Sequence, residues 1–456
     1  LLTEHCLSQK ESGKRTLVLA ASAPEATLIA EELSGGDLHV GLIDADQGPD
    51  RRYRTYLEAL LGKFDVLVGT RSAAWVPLPQ LGSLLIWDEG DDRFKEQRSP
   101  RLDALDILVA RSHIEGIALT AAGYGRSIKA QALVESHWAR PVAPSATQIA
   151  AAIPQVRMFD EFAAQAEGPT GRTLLPDAAF RTIRRGLESG AVLIQVTAAG
   201  GVTELEDGRV RVGSDQIRAD LARAFPGVET LVSSSSAGIL KEVEPGPRIV
   251  VSTAGAEPLV AGGYAATILT GAASVAYWDS LDGPLQALRR WMNALALGAP
   301  TSPALLVGEV PEDLFASLAA WKPGLLAGVE WRRRVELGFP PARWVVVLSG
   351  APASVEALFT AAQGALGEAQ VRFPGEEFAP LVLLADSRLD AHLPRAREGD
   401  FEEGEETWEL TLSVAPRNIQ VLMVALGGAR RELGAAGAAL PRITVNPTSL
   451  VSDPGF

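Results

Sequence analysis

Short apolar runs alternate with amphipathic stretches along the first part of the chain. TLVLAAS at 16–22 reads as a buried strand, PEATLIAEEL after it as a helix, HVGLIDA at 39–45 as a second strand, and RRYRTYLEALLG at 51–62 as a second helix. FDVLVGT at 64–70 and GSLLIWDE at 82–89 are two further apolar strands. Strands near six residues alternating with helices near ten predict a doubly wound parallel sheet. The pattern restarts at AVLIQV, ETLVSS, RIVVST and ASVAYWD, which predicts a second α/β lobe. Helical, proline-punctuated sequence from 141 to 190 lies between the two. Beyond Trp321 the runs RWVVVLSG and PLVLLAD, with the alternating TWELTLSV, predict a smaller α+β domain, and the acidic FEEGEE at 401–406 reads as a solvated loop. The expected domains are 1–143, 144–322 and 323–456.

Composition agrees with this division. At roughly 150 residues per domain, 456 residues make about three domains, and 47 % hydrophobic with 21 % charged residues excludes disordered and fibrous chains. No apolar stretch reaches the roughly 18 residues of a membrane helix, and LLTEHCLSQKESGKR lacks a signal peptide's apolar core. A cytoplasmic protein with no membrane association is expected. The chain starts with Leu rather than Met and runs straight into helix-like sequence, so an earlier part of the gene product is expected to be missing. A net charge of −14 opposes nonspecific attraction to nucleic acid, and any DNA contact requires a local basic patch. The single cysteine, Cys6, reads as a packed thiol. It excludes an internal disulfide and, with five scattered histidines, a cysteine-rich zinc site.

Two segments invite a nucleotide. Ser12-Gly13-Lys14 has the Gly-Lys pair of a phosphate-binding loop, but Ser8 replaces the first glycine, Arg15 replaces the Mg²⁺-binding hydroxyl, and the tripeptide precedes its strand. It reads as an exposed turn. Gly69-Thr70-Arg71-Ser72-Ala73 follows one strand, and Trp87-Asp88-Glu89-Gly90-Asp91 ends another. In a nucleotidase the first of these acids holds Mg²⁺ and the second orients the attacking water, whereas the plain alternative is a pair of solvated loop carboxylates.

The longer string VGTRSAAWVPLPQLGSLLIWDEGDDRFKEQRSPRLDALDILVARS resembles the helicase core of the primosomal protein N-prime family, PriA. Asp88 and Glu89 match that family's Walker B acids, and Gly90 and Asp91 stand where it has Glu-His. IVVSTAGAEPLVAGGYAATIL, LRRWMNALAL and WRRRVELGFPPARW extend the resemblance, to the family's actinobacterial branch with degenerate helicase motifs. The resemblance implies two RecA-like helicase lobes followed by a small α+β C-terminal domain. It also implies a replication restart factor that binds forked or branched DNA and recruits primosome and single-strand-binding proteins.

The chemistry of a motor is not evident in these motifs. The lobe 1 coupling motif becomes Leu119-Thr120-Ala121-Ala122-Gly123, and the arginine-finger segment aligns with Trp291-Met292-Asn293-Ala294-Leu295-Ala296, which has no guanidinium. A missing finger alone lowers the hydrolysis rate by roughly 10³ to 10⁵. Asp88 and Glu89 then read as vestigial, and no ATPase or helicase activity and no bound ATP are expected. The zinc that the family carries is not expected here, since its paired cysteines are absent; after AVLIQV, Thr197-Ala198-Ala199-Gly200-Gly201 leads directly to VGSDQIRADLARAFPG.

DNA-contact candidates are Arg93, Lys95, Arg98 and Arg101 with Phe94 to stack on a base, Arg332-Arg333-Arg334, and Arg71. Against them stand solvated or salt-bridged faces, because Asp91, Asp92, Glu96, Glu330 and Glu336 are interleaved. Pro340-Pro341 reads as a pair that fixes backbone direction. Two other functions stay open: an active helicase whose phosphate loop lies upstream of Leu1, and a metabolic enzyme binding a phosphorylated ligand at Gly262-Gly263 or Gly123-Tyr124-Gly125.

Overall fold

A computed structural model describes residues 2–44, 46–96, 102–200, 203–204, 210–211, 213–276, 280–372, 382–387 and 408–446. The chain divides into two compact units, Leu1–Gly123 with Trp331–Phe456, and Tyr124–Glu330.

The first lobe is a five-stranded parallel sheet of β1 (Arg15–Leu19), β2 (Val40–Ile43), β3 (Val66–Gly69), β4 (Leu81–Trp87) and β5 (Ala118–Ala122), in the order β2-β3-β1-β4-β5. The runs TLVL and VLV are buried along their whole length because helices cover both faces of the sheet. Cys6, Val18, Ala26 and Leu33 pack on one face. Leu17, Leu19, Ala59, Phe94 and Leu108 pack on the other. Ser22 and Glu25 form a capping box that starts the helix Ala23–Ser34. The Ser12-Gly13-Lys14 turn closes the first helix, Leu2–Glu11: Gly13 takes φ 69°, and the Gly13 and Lys14 amides donate to Lys10 and Gln9 carbonyls. Its glycine serves a helix C-cap.

The second lobe contains β6 (Gln155–Phe159), β7 (Val192–Val196), the ribbon of β8 (Thr203–Glu204) and β9 (Val210–Arg211), then β10 (Glu229–Ser233), β11 (Glu242–Val243), β12 (Arg248–Thr253), β13 (Leu259–Val260), β14 (Ala266–Leu269) and β15 (Pro303–Val307). Six of these make a parallel sheet in the order β10-β12-β7-β14-β15-β6. β17 (Val382–Ser387) and β18 (Trp408–Val414) join β16 (Trp344–Gly350) and β19 (Arg442–Val445) in an antiparallel sheet, with helices Pro352–Arg372 and Ile419–Ala435 packed on it. The fold is thus two doubly wound α/β lobes and a small α+β domain, as the RecA-like helicase resemblance implies.

Two local expectations are corrected. ASVAYWD is not a strand: Ala272–Ala276 is helical, and 277–279 lie outside the described residues. The strand is the preceding ATIL; Gly271 at φ 62° then turns the chain, and alanine favours the helix. The segment at 141–190 holds β6 as well as helices. QVRMF, a half-exposed edge strand beside β15, has neither a long apolar run nor a helical period. The FEEGEE run lies outside the described residues.

Gly69 ends β3 where a Cβ would stand 2.5 Å from both the Ala73 Cβ and the Ile43 carbonyl. Gly69→Ala is therefore expected to lose about 1–3 kcal/mol, read as a lowered urea midpoint. An unchanged midpoint would show that the Thr70 turn yields freely.

Candidate nucleic-acid interface

Loops leave the carboxyl ends of the lobe 1 strands side by side, which is where open α/β sheets hold ligands. After β4 the chain bends at Asp88, which takes φ 54°. Its amide donates to the Ala122 carbonyl over 2.7 Å, and its carbonyl accepts from the Asp91 amide over 2.9 Å. Asp88, Glu89 and Asp91 are all buried. Gly123 lies so close that a Cβ there would come within 3.2 Å of the Asp88 Cα. The two Walker-type acids are thus part of a tight junction between β4 and β5, not solvated loop carboxylates.

Three of the cations predicted to contact DNA, Arg71, Arg93 and Lys95, are engaged at this junction. Arg93 donates through Nε and Nη2 to the Asp91 carboxylate, at 2.9 and 2.7 Å, and lies 3.7 Å from Glu25. Burial opposes the Arg93 charge, but Asp91 and Glu25 outweigh it and hold its pKa above the ordinary value. Burial pushes the Glu25 carboxyl up, with Arg93 and Ser22 offsetting part of that rise. Arg71 donates to the Arg93 and Lys95 carbonyls and lies 3.5 Å from Glu96, so it staples the following loop. Lys95 reaches Asp92 at 2.8 Å. Phe94 corrects the stacking expectation: it is fully buried in the core with Leu105 and Leu108, and stacking on a base would require it to leave that core. Arg98 and Arg101 lie outside the described residues.

The second basic cluster is divided by its helix, Pro323–Leu337. Arg332 and Arg333 are exposed, whereas Arg334 is buried and donates over 2.8 Å to the Pro340 carbonyl. Arg334 is accordingly an anchor for the Pro340-Pro341 segment and not a surface contact.

In lobe 2, β7 carries the buried Gln195, whose Nε2 donates to Glu257 Oε1 over 2.6 Å; the Gly255 amide donates to Glu257 Oε2 over 2.8 Å. Burial raises the Glu257 pKa, and these bonds with the Arg289 charge offset part of it. Gly262 and Gly263 take φ of 82° and 81°, and a Cβ on Gly263 would meet the Ala299 nitrogen at 2.7 Å. A left-handed turn at both residues and close backbone packing at Gly263 account for this glycine pair. Gly125 likewise lies against Arg289, whose Cγ would be 2.8 Å from a Cβ. The arginine-finger segment lies mostly in the helix Gly283–Leu295, where Trp291, Met292, Ala294 and Leu295 are buried. Among the described residues no group of His, Cys, Asp and Glu is placed to hold a metal, and no helix is long and apolar enough to cross a membrane.

Sequence reasoning passed over a further basic group. Arg51-Arg52-Tyr53-Arg54 opens the helix Pro49–Leu60 with all four side chains exposed, and Trp75 is exposed at the end of the turn Arg71–Trp75. Three guanidiniums in four residues around an aromatic was the available signal.

No family model matches the chain. The probable replication restart protein PriA of Mycobacterium tuberculosis is 33 % identical over 392 residues, covering 74 % of this chain and 59 % of that protein. Its Mycobacterium leprae counterpart is 30 % identical over 440 residues, covering 84 % and 66 %. The chain thus spans about three fifths of the length of the first of these relatives. Among solved structures, RecG bound to a three-way DNA junction aligns with TM-score 0.39 and 11 % identity, over 72 % of this chain and 41 % of that one. S. cerevisiae Dbp5 bound to RNA and ADP BeF3 aligns with TM-score 0.40 and 11 % identity, over 68 % and 75 %.

Arg93→Ala leaves the buried Asp91 without its charged donor, and a stability loss of about 1–2 kcal/mol is expected in urea unfolding, water replacing part of the half-exposed guanidinium. No loss would mean the bridge contributes nothing net. Glu257 supplies a pH test. Because its folded pKa is raised, the folded chain takes up a proton before the unfolded chain does as pH falls. Wild type should therefore gain stability relative to Glu257→Gln as pH drops from the raised value toward the ordinary glutamate value. A difference that stays constant with pH would refute the burial effect.

Proposed function

Because the chain belongs to the replication restart protein PriA family, we propose that it binds forked or branched DNA and recruits primosome and single-strand-binding proteins in the cytoplasm, without unwinding DNA or hydrolysing ATP. The observation that carries this reading is the likeness to the mycobacterial proteins over 74 % and 84 % of the chain. The packing of the motor positions supports the non-enzymatic half. A finger must project a guanidinium at the γ-phosphate, and the aligned segment instead buries Trp291, Met292 and Leu295. Asp88 is held at a left-handed bend with its amide bonded to Ala122, so this strand end serves as a junction between β4 and β5. A cysteine-ligated zinc site does not fit the residues present either: the one cysteine, Cys6, is buried, and burial raises its thiol pKa while Thr16 offsets part of the rise.

Anisotropy of a labelled fork and of plain duplex of equal length, across a salt series, tests the DNA half. Fork-selective binding that weakens linearly with log salt is expected. Absence of binding even at low salt overturns it. DNA-stimulated phosphate release from ATP by this chain overturns the non-enzymatic half and favours the active-helicase alternative.

A further inference from the structure

Resting on that DNA-binding reading, we propose that one face of lobe 1 is a track for single-stranded DNA, in which Arg51, Arg52 and Arg54 hold phosphates and Tyr53 and Trp75 stack on bases. The geometry begins at two adjacent strand ends. β2 and β3 run parallel with Ile43 beside Gly69, and the Thr70 amide donates to the Ile43 carbonyl over 3.3 Å. The helix bearing the arginines and the turn bearing Trp75 therefore leave from neighbouring points on the same rim. They also pack on the same side of the sheet, since Ala59 of the helix and Ala73 and Ala74 of the turn share one core cluster. The connection to the helix is braced by Asp44, whose Oδ1 accepts from the Asp46 and Gln47 amides at 2.9 and 3.0 Å.

The exposed chemistry suits a single strand. Tyr53 and Trp75 are 64 % and 65 % exposed, against a fully buried Phe94. Bases of a duplex are stacked on one another, whereas those of a single strand are free to take an aromatic partner. Arg51, Arg52 and Arg54 form no ion pair among the described residues, in contrast to Arg71 and Arg93. Asp50 is the exposed acid beside them, and Glu58 is 3.6 Å from Lys63. The helix N-cap, Gly48, supplies no side-chain bond, so amides of the first turn add to the attraction for phosphate. In a chain of net charge −14 this patch is a local reversal of sign.

The test is binding of the full chain to labelled oligo(dT), to the fork and to duplex, with far-UV circular dichroism melts confirming that each variant folds. Neutralising Arg51, Arg52 and Arg54 together to Gln should weaken oligo(dT) binding roughly tenfold or more and reduce the log–log salt slope by about two, while replacement by Lys retains the slope. Trp75→Ala should weaken it about fivefold or more. Trp75→Phe should keep affinity yet abolish most of the quenching of tryptophan fluorescence by oligo(dT). Wild-type affinity and slope in the triple Gln variant overturn the track and leave this face, with its exposed Leu57 and Leu61, to protein contact. Fork binding by wild type with no single-strand affinity overturns the track while the restart reading stands. No binding of any DNA by wild type overturns both.

Discussion

A parallel sheet covered on both faces has no room for charge along its strands, and this constraint arranges the rest of the molecule. β1, β3 and β7 are buried along nearly their whole lengths, so an ionised side chain there would lose its hydration without a partner. Polar chemistry is displaced to the strand ends. That is where Asp88, Glu89 and Asp91 follow β4, where Gln195 near the end of β7 reaches Glu257, and where Arg71 follows β3. Burial continues past the strand ends, and there the Asp91 carboxylate accepts from the Arg93 guanidinium, while Glu257 is held by Gln195 and the Gly255 amide.

That requirement explains why the basic clusters visible in the sequence were poor guides to the surface. Charge density along the chain does not say which guanidiniums are needed inside. Arg93 follows Asp91 by two residues and is used to neutralise it. Arg71 spends its donors on carbonyls of the loop it faces, and Arg334 does the same for Pro340. Arg51, Arg52 and Arg54 escape this use because the start of their helix is exposed, its buried residues being Thr55 and Ala59 further along. The interleaved acids around Arg93 were a legible warning; the exposure of RRYR requires knowing where the helix starts relative to the sheet.

Much of the fold was legible for the same physical reason. A fully buried parallel strand is a continuous apolar run, and TLVL, VLVG, VLIQV and RIVVS each read as one. Edge strands escaped because they are not buried in that way: ALTAA and QVRMF are half exposed and short, and only pairing with β4 and β15 makes them strands. ASVAYWD failed in the other direction. Its apolar residues satisfy a strand pattern, but the preceding ATIL already fills the place beside β7 and β15, and the chain must turn at Gly271. The Walker-type acids were legible as a pair at a strand end, whereas their role as a packed junction depends on Ala122 and Gly123, which approach only when β5 pairs with β4.

Charge distribution bears on how such a chain meets DNA. Its net charge of −14 repels a polyanion at long range, and at 0.1 M salt the field of a small basic patch is screened within about 10 Å. Three arginines on one helix therefore contribute little to capturing duplex from a distance and act once a strand is already close. A motor that tracks along duplex benefits from a broad positive surface. A scaffold that engages a few exposed nucleotides does not, because stacking and short-range phosphate contacts operate inside the screening length. On the restart reading, selectivity for a fork then follows from where unpaired bases are available, without any need for sequence readout by the lobes.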